Sequence, residues 1–274
     1  LLEGGTHVMF ALALGAYTDS EISLFDKLLP KLRPDMLLLA DRYFLGYKAW
    51  ANARQTGAQL LWRAKKNNIL PVDQALPDGS YLSHLNPSHG NKDASLQSLP
   101  VRVVEYYIDG DPQAEPLYRL VTSLLDPEVA TAQELARLYH ERWEIELAYG
   151  EIKTDMLGQA MTLRSQHCEG VKQELWATLL MYNLIRLEIT RIADEAKVEP
   201  SRISFITALR YIVDEWLWSS SCRTPGSIPA KLKTMRQNIR RYVLPPRRSG
   251  RRYTREVRMT KTQYPIKKKP LSAN

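Results

Sequence analysis

Runs of apolar residues divide the chain into stretches of different period. Residues 1–3 and 6–14, separated by Gly4-Gly5, read as two strands around a tight turn. A turn at Tyr17 and Thr18 leads into a helix over 21–29, with Asp19 or Ser20 as its cap and Pro30 and Pro34 as its end. Residues 36–40, MLLLA, are uninterruptedly apolar, as in a strand covered on both faces of an α/β sheet. A helix over 45–56, closed by Gly57, and a strand over 58–63 follow. Between 69 and 118 turn signals recur, at Pro77-Asp78-Gly79, Asn86-Pro87, His89-Gly90-Asn91 and Asp109-Gly110-Asp111, around short β-rich pieces. Residues 117–123, LYRLVTS, then return to the core sheet.

From 130 to 158 the period becomes helical. No Pro or Gly interrupts it before Gly150, and Thr131 followed by Glu134 forms a capping-box pattern, so one long helix is expected. A second helix over 171–192 carries the packing stripe Leu175, Leu179, Tyr182, Ile185 and Ile189, and a third spans about 202–218. Trp176, Trp216 and Trp218 gather there as core or interface aromatics, before a Pro-bounded linker at 225–229.

Composition adds a partner class. The chain has 274 residues, 44% of them hydrophobic, enough to fill a core. Two cysteines, Cys168 and Cys222, without a CxxC pair, argue against a disulfide framework or a zinc site and fit a reducing cytoplasm. No apolar run approaches membrane-spanning length, which points to a protein without membrane partners. Of the net +8, the stretch from Lys231 onward carries +14, with 15 Lys or Arg against Glu256, leaving −6 on the preceding 230 residues. A basic arm on a mildly acidic body suits a polyanion, most simply nucleic acid, although basic tails are also often only solvated.

The candidate chemistry lies on the long helix. Tyr139, Arg142, Glu146 and Lys153 fall within roughly 60° of one another on an ideal helix. Glu146 is a hard oxygen ligand, Arg142 a phosphate fork, Lys153 a mobile charge and Tyr139 an aromatic hydroxyl. Apolar stripes flank this line on both sides, which suggests a cleft floor. The spacing equally suits an amphipathic helix on which Arg142 and Glu146 pair at i, i+4. Asp41 ends the 36–40 strand, where ligands of open α/β sheets gather, but it could also pair with Arg42 or cap the next helix.

The spacing Tyr, two residues, Arg, three residues, Glu, six residues, Lys resembles the Tyr-Arg-Glu-Lys signature of bacterial insertion-sequence transposases of the DDE type. LLLADRYF, with Phe44 in place, resembles the segment around their second catalytic Asp, and family-like segments run from Asp41 to about Phe205. The resemblance implies an RNase H-like mixed sheet with flanking helices. The basic arm at 225–274 is read from charge alone, while the resemblance, together with the residue pattern, divides the rest of the chain into a partial catalytic core at 1–66, a small β insertion at 67–116 that in the family touches DNA, a return to the core at 117–160 and a helical region at 161–224. It implies Mg²⁺ (or Mn²⁺) held by Asp41 and Glu146, phosphates held by Arg142 and Tyr139, and a terminal phosphate of the other strand gripped by Lys153. Tyr118 occupies the place of a Trp that stacks on a flipped base, though it could simply pack on a neighbouring strand. Transposon ends and target DNA are the implied partners, with a homodimer assembled on the DNA.

Such enzymes use three carboxylates, and no residue here fits the first Asp, expected on the first core strand and followed by Gly. The expectation is a chain that starts after that strand and is inactive by itself. The alternative is a non-catalytic DNA-binding remnant.

Overall fold

The computed structural model describes residues 1–87, 97–107, 117–158 and 163–245. Within these, six strands form one mixed sheet in the order β1-β2-β6-β5-β4-β3. They are β1 (Leu37–Ala40), β2 (Gln59–Arg63), β3 (Gln74–Ala75), β4 (Tyr81–Leu85), β5 (Leu99–Tyr106) and β6 (Tyr118–Thr122). β1 runs parallel to β2, and every other neighbour pair is antiparallel. The architecture is the mixed α/β sheet with flanking helices of the RNase H-like class. The β-rich stretch after residue 67 therefore lengthens the same sheet, with β5 hydrogen-bonded to β6 from Arg102 to Tyr106. His89-Gly90-Asn91 and Asp109-Gly110-Asp111 lie outside the described residues.

The crossover from β1 to β2 is made by α2 (Tyr47–Gln55), and Gly57 permits the return. Gly57 has φ +83, and a Cβ there would meet Pro34 Cγ at 2.9 Å, so both conformation and space require glycine. α1 (Glu21–Leu28) starts at Ser20, whose hydroxyl accepts the Ser23 amide, as the sequence suggests. Trp50 of α2 and Trp62 of β2 meet edge to face with ring centroids 5.1 Å apart, both almost wholly buried. Each contributes about 2–3 kcal/mol through burial. They fix α2 against the sheet face shared with Phe25 of α1, whose ring meets Trp62 at 5.8 Å.

Two expectations are revised. Residues 1–14 do not form two strands: Leu2 and Met9 make one isolated bridge. Glu3 donates its amide to the Val8 carbonyl at 3.0 Å and Phe10 its amide to the Leu1 carbonyl at 3.1 Å, and on the other edge Met9 meets Asn183, whose side chain accepts its amide at 2.9 Å and donates to its carbonyl at 2.8 Å. His7, at φ +62, breaks the extended course. The long helix also changes type along its length. α3 (Ala132–His140) carries the expected capping box, a 3-10 turn covers Glu141–Trp143, α4 spans Glu144–Gly150 and a π-helical turn covers Glu151–Met156.

The C-terminal half is a helical layer of α5 (Cys168–Ala196), α6 (Phe205–Ser220) and α7 (Ile228–Ile239). Tyr182, Ile185 and Ile189 of the expected stripe are fully buried, while Trp176 and Trp218 are exposed and belong to no core. Part of the stretch read as an arm is folded: α7 buries Met235 and Ile239, and Arg236 pairs with Glu188 at 2.8 Å. Residues 246–274, with ten Lys or Arg, lie outside the described residues.

The start of α3 is tied to the far sheet edge by one arginine. Arg102 of β5 is wholly buried, donates Nε to Ser80 at 2.8 Å and NH1 to the Ala130 carbonyl at 2.7 Å, and pairs with Asp78. Asp78 also accepts the Ala132 amide at 2.7 Å, so the Pro77-Asp78-Gly79 turn holds the helix N-terminus. Burial acts to raise the Asp78 pKa, but bonds from Ser80 and Ala132 and the charge of Arg102 outweigh it and hold it below its usual range. Arg102→Met strands that carboxylate and should lower stability by about 3–5 kcal/mol, read as an earlier urea midpoint. With its folded pKa below the unfolded value, the contribution of Asp78 is complete above about pH 4 and lost on acidification through the folded pKa. The Arg102→Met deficit should therefore narrow in acid.

Candidate active site

Asp41 follows directly on the last residue of β1, as the sequence suggests. Its Oδ1 accepts the Tyr43 amide at 3.3 Å, whereas α2 starts at Gly46 without a side-chain cap. Across from this strand end stands the helical run of α3 and α4. Tyr139, near the end of α3, is 5% exposed and donates its hydroxyl to the Ala40 carbonyl at 3.1 Å. Burial pushes its pKa up, which leaves the phenol a donor.

One turn further, Arg142 reaches both acidic groups. NH1 lies 3.6 Å from Asp41 Oδ2 and NH2 lies 3.6 Å from Glu146 Oε1. The i, i+4 pair is thus formed, and the same guanidinium also faces a carboxylate 105 residues from Glu146 in sequence. The side chains of Asp41 and Glu146 keep 43% and 37% of their exposure. Two oxygen donors that converge, stay open to solvent and already face a cation have the chemistry a hard divalent ion requires. Asp19 and Glu21 line a recess of about 490 Å³ with Asp41, which adds to the negative field there. Among the described residues no group of three or more His, Cys, Asp or Glu is arranged to hold a metal.

The other candidates lie around this pair. Lys153, on the π-helical turn, is exposed with Nζ 5.8 Å from the Tyr149 ring centre. Tyr118 has two close neighbours: the Arg63 guanidinium 4.0 Å from its ring centre and the Tyr106 ring stacked at 5.4 Å. Burial, with the nearby Tyr118, pushes the Tyr106 pKa up to about 12.

Beneath Glu146 lies a group of charges that motif spacing does not reveal. His7 contacts Glu144 through Nε2 at 2.6 Å, and its Nδ1 lies 2.6 Å from Arg186. Arg186 pairs with Glu151, which also accepts the Tyr182 hydroxyl at 2.9 Å. Burial disfavours a charge on His7, but hydrogen bonds to Glu144 and Glu151 outweigh it and the opposing Arg186, and raise its pKa. Arg186 and Glu151 border a cleft of about 470 Å³ that Glu146 also lines. The readable signal was Arg186 itself, a charge inside the apolar stripe between Tyr182 and Ile189.

Residues 1–184 match the family described as "Transposase DDE domain", and the chain belongs to that family. Every candidate above from Asp41 to Lys153 falls within the matched residues. Among curated proteins the chain is similar to Transposase InsG for insertion sequence element IS4 of Escherichia coli (strain K12). The two are 30% identical over 273 residues, which cover 96% of this chain and 60% of that protein. Family members use divalent metal ions. None of the described helices is long and apolar enough to cross a membrane.

Tyr139→Phe removes the hydroxyl that donates to the Ala40 carbonyl. It should cost about 1–2 kcal/mol in thermal or urea unfolding while DNA affinity is kept. Weaker DNA binding at unchanged stability would instead return Tyr139 to a phosphate-binding role.

Proposed function

We propose that this chain carries the catalytic face of a transposase that cuts DNA at the ends of an insertion-sequence element and joins those ends to a target. In this reading Asp41 and Glu146 are ligands for Mg²⁺ or Mn²⁺. The observation that carries it is the convergence of these two carboxylates on one guanidinium, a place already selected for positive charge. Membership of the DDE family and similarity to an insertion-sequence transposase supply the reaction class.

Bound divalent ions supply activation of a water or 3′ hydroxyl and stabilisation of the leaving oxygen. The protein's part is placement. Asp41 is fixed by the end of β1, Glu146 by α4, and Tyr139 joins the two through the Ala40 carbonyl. Arg142 offers a fork for a phosphate beside the cut, and exposed Lys153 a point charge for the terminal phosphate of the other strand. Tyr118, whose ring is held by Arg63 and Tyr106, is the aromatic on which an unstacked base would stack. The basic residues after 246 add affinity without sequence preference.

In a preparation that cleaves element ends, Glu146→Gln should abolish Mg²⁺-dependent cleavage and leave DNA binding within about twofold; surviving cleavage removes Glu146 from this role. Deleting 246–274, which spares α7, should weaken DNA binding and flatten its salt dependence by about 0.9 in log–log slope for each phosphate no longer neutralised. An unchanged slope means that the ten basic residues there bind no phosphate.

A further inference from the structure

Arg102 and Arg142, the first wholly buried and the second partly so, are held in opposite ways. Arg102 has hydrogen bonds from Nε, NH1 and NH2 to oxygens around it. Arg142 has no such set. Its two carboxylate contacts, at 3.6 Å, exceed the usual N–H···O range of about 2.7–3.2 Å, so charge rather than hydrogen bonding holds it. Its Nε is shut away from solvent and finds no hydrogen-bond partner among the described residues, a cost that a settled buried arginine avoids. The remaining contacts are the faces of Tyr139 and Trp143, 5.9 and 5.8 Å from the guanidinium carbon, at the outer limit of cation–π attraction. A cation so held is easily displaced.

We propose that Arg142 is an exchangeable counter-ion. It keeps Asp41 and Glu146 aimed at one another in the metal-free protein, yields its place to the divalent cation they share, and then turns its fork to a DNA phosphate. This rests on the reading of Asp41 and Glu146 as metal ligands.

The physics is a competition for one space. Two carboxylates facing one point repel, and the guanidinium removes that repulsion without a metal. A divalent ion held by both carboxylates would compete with the guanidinium for the space between them, and like charges would drive the guanidinium out. A phosphate at the mouth of the site gives the planar fork a bidentate partner it lacks in the resting arrangement. Metal entry and phosphate capture therefore favour each other. By linkage, DNA tightens metal binding by the same factor as metal tightens DNA binding.

The test is Mn²⁺ binding to the full chain, followed by electron paramagnetic resonance of the free ion, with and without a short duplex DNA. Arg142→Gln should bind Mn²⁺ about tenfold more tightly than the unsubstituted chain in the absence of DNA, or about 1.4 kcal/mol, and show no DNA-induced tightening. Arg142→Lys, which keeps the charge, should stay within about twofold of the unsubstituted chain. Unchanged or weaker Mn²⁺ binding by a folded Arg142→Gln overturns the exchange, because a purely structural arginine gives that result. A second arm does not depend on that variant folding. In the unsubstituted chain, DNA should tighten Mn²⁺ binding beyond the level seen with the Asp41→Asn/Glu146→Gln double variant, which corrects for Mn²⁺ held by DNA itself. Independence of the two ligands there overturns the proposal. Without DNA, that double variant should bind Mn²⁺ at least about tenfold more weakly; if it does not, the metal-ligand reading itself fails, an outcome distinct from failure of the exchange alone.

Discussion

The bond from the Tyr139 hydroxyl to the Ala40 carbonyl is the constraint on which the geometry of the site depends. β1 has only four residues and one sheet neighbour among the described strands, so its far end is held by little else. The carbonyl that Tyr139 binds belongs to the residue immediately before Asp41. The position of that carboxylate is thus set through the main chain, while its side chain stays partly solvated. Tyr139 in turn is fixed by packing with Leu61, Leu120 and Leu135, so the buried face of the sheet determines where an exposed acid points.

The same division of labour recurs on the Glu146 side. Glu146 is partly exposed, but Glu144 and Glu151 reach the other way, to His7 and Arg186. Such charges are expensive to desolvate, and swapping a buried ion pair for apolar residues is often neutral or favourable. What the polar cluster adds over apolar packing is register. Helices held by side chains of similar shape can slide, whereas Arg186 of α5 pairs with Glu151 of the π-helical turn and meets His7 of the N-terminal segment, which ties three segments together at one level. His7 holds an unfavourable left-handed backbone to join this cluster, at a cost of about 1–3 kcal/mol. That Asn183 clasps Met9 nearby shows how the N-terminal segment is drawn onto α5.

What was legible in the sequence is what local chemistry decides. The apolar run before Asp41, the Ser20 cap, the Thr131–Glu134 capping box and the buried stripe of α5 each follow from side chains within a few residues of one another. The misread parts depend on distant partners. Residues 1–14 alternate like strands, yet the pairing across the turn stops at the Leu2–Met9 bridge, and on its other edge Met9 bonds Asn183, far along the chain, rather than a further strand. Of the three tryptophans read as core or interface aromatics, Trp216 packs against the helical core while Trp176 and Trp218 face outward, a division that composition alone does not make. The pairing of Asp41 with Arg142 is of the same kind: spacing aligns Arg142 with Glu146, but only the sheet brings Asp41 beneath them.

The changes of helix type after Tyr139 follow from the demands on this run. A 3-10 turn advances about 120° per residue against about 100° in an α-helix. Glu141–Trp143 therefore rotates everything after it by about 60° relative to a uniform helix. Arg142 sits inside that overwound turn, between a buried Tyr139 that must face Ala40 and a Glu146 that must stay open to solvent. A uniform helix would set Tyr139 and Glu146 on nearly one line, with both buried or both exposed. Overwinding carries Glu146 past that line, from about 20° on one side of Tyr139 to about 40° on the other, while Arg142 stays 3.6 Å from each acid. The π-helical turn at Glu151–Met156 is wider and winds less per residue, so it returns part of that rotation. Lys153 thereby comes back toward the line it left, while Ile152 stays buried. The two departures from ideal helix geometry thus turn in opposite senses, and Ile152, which follows the first and lies within the second, packs in the cluster built on α5.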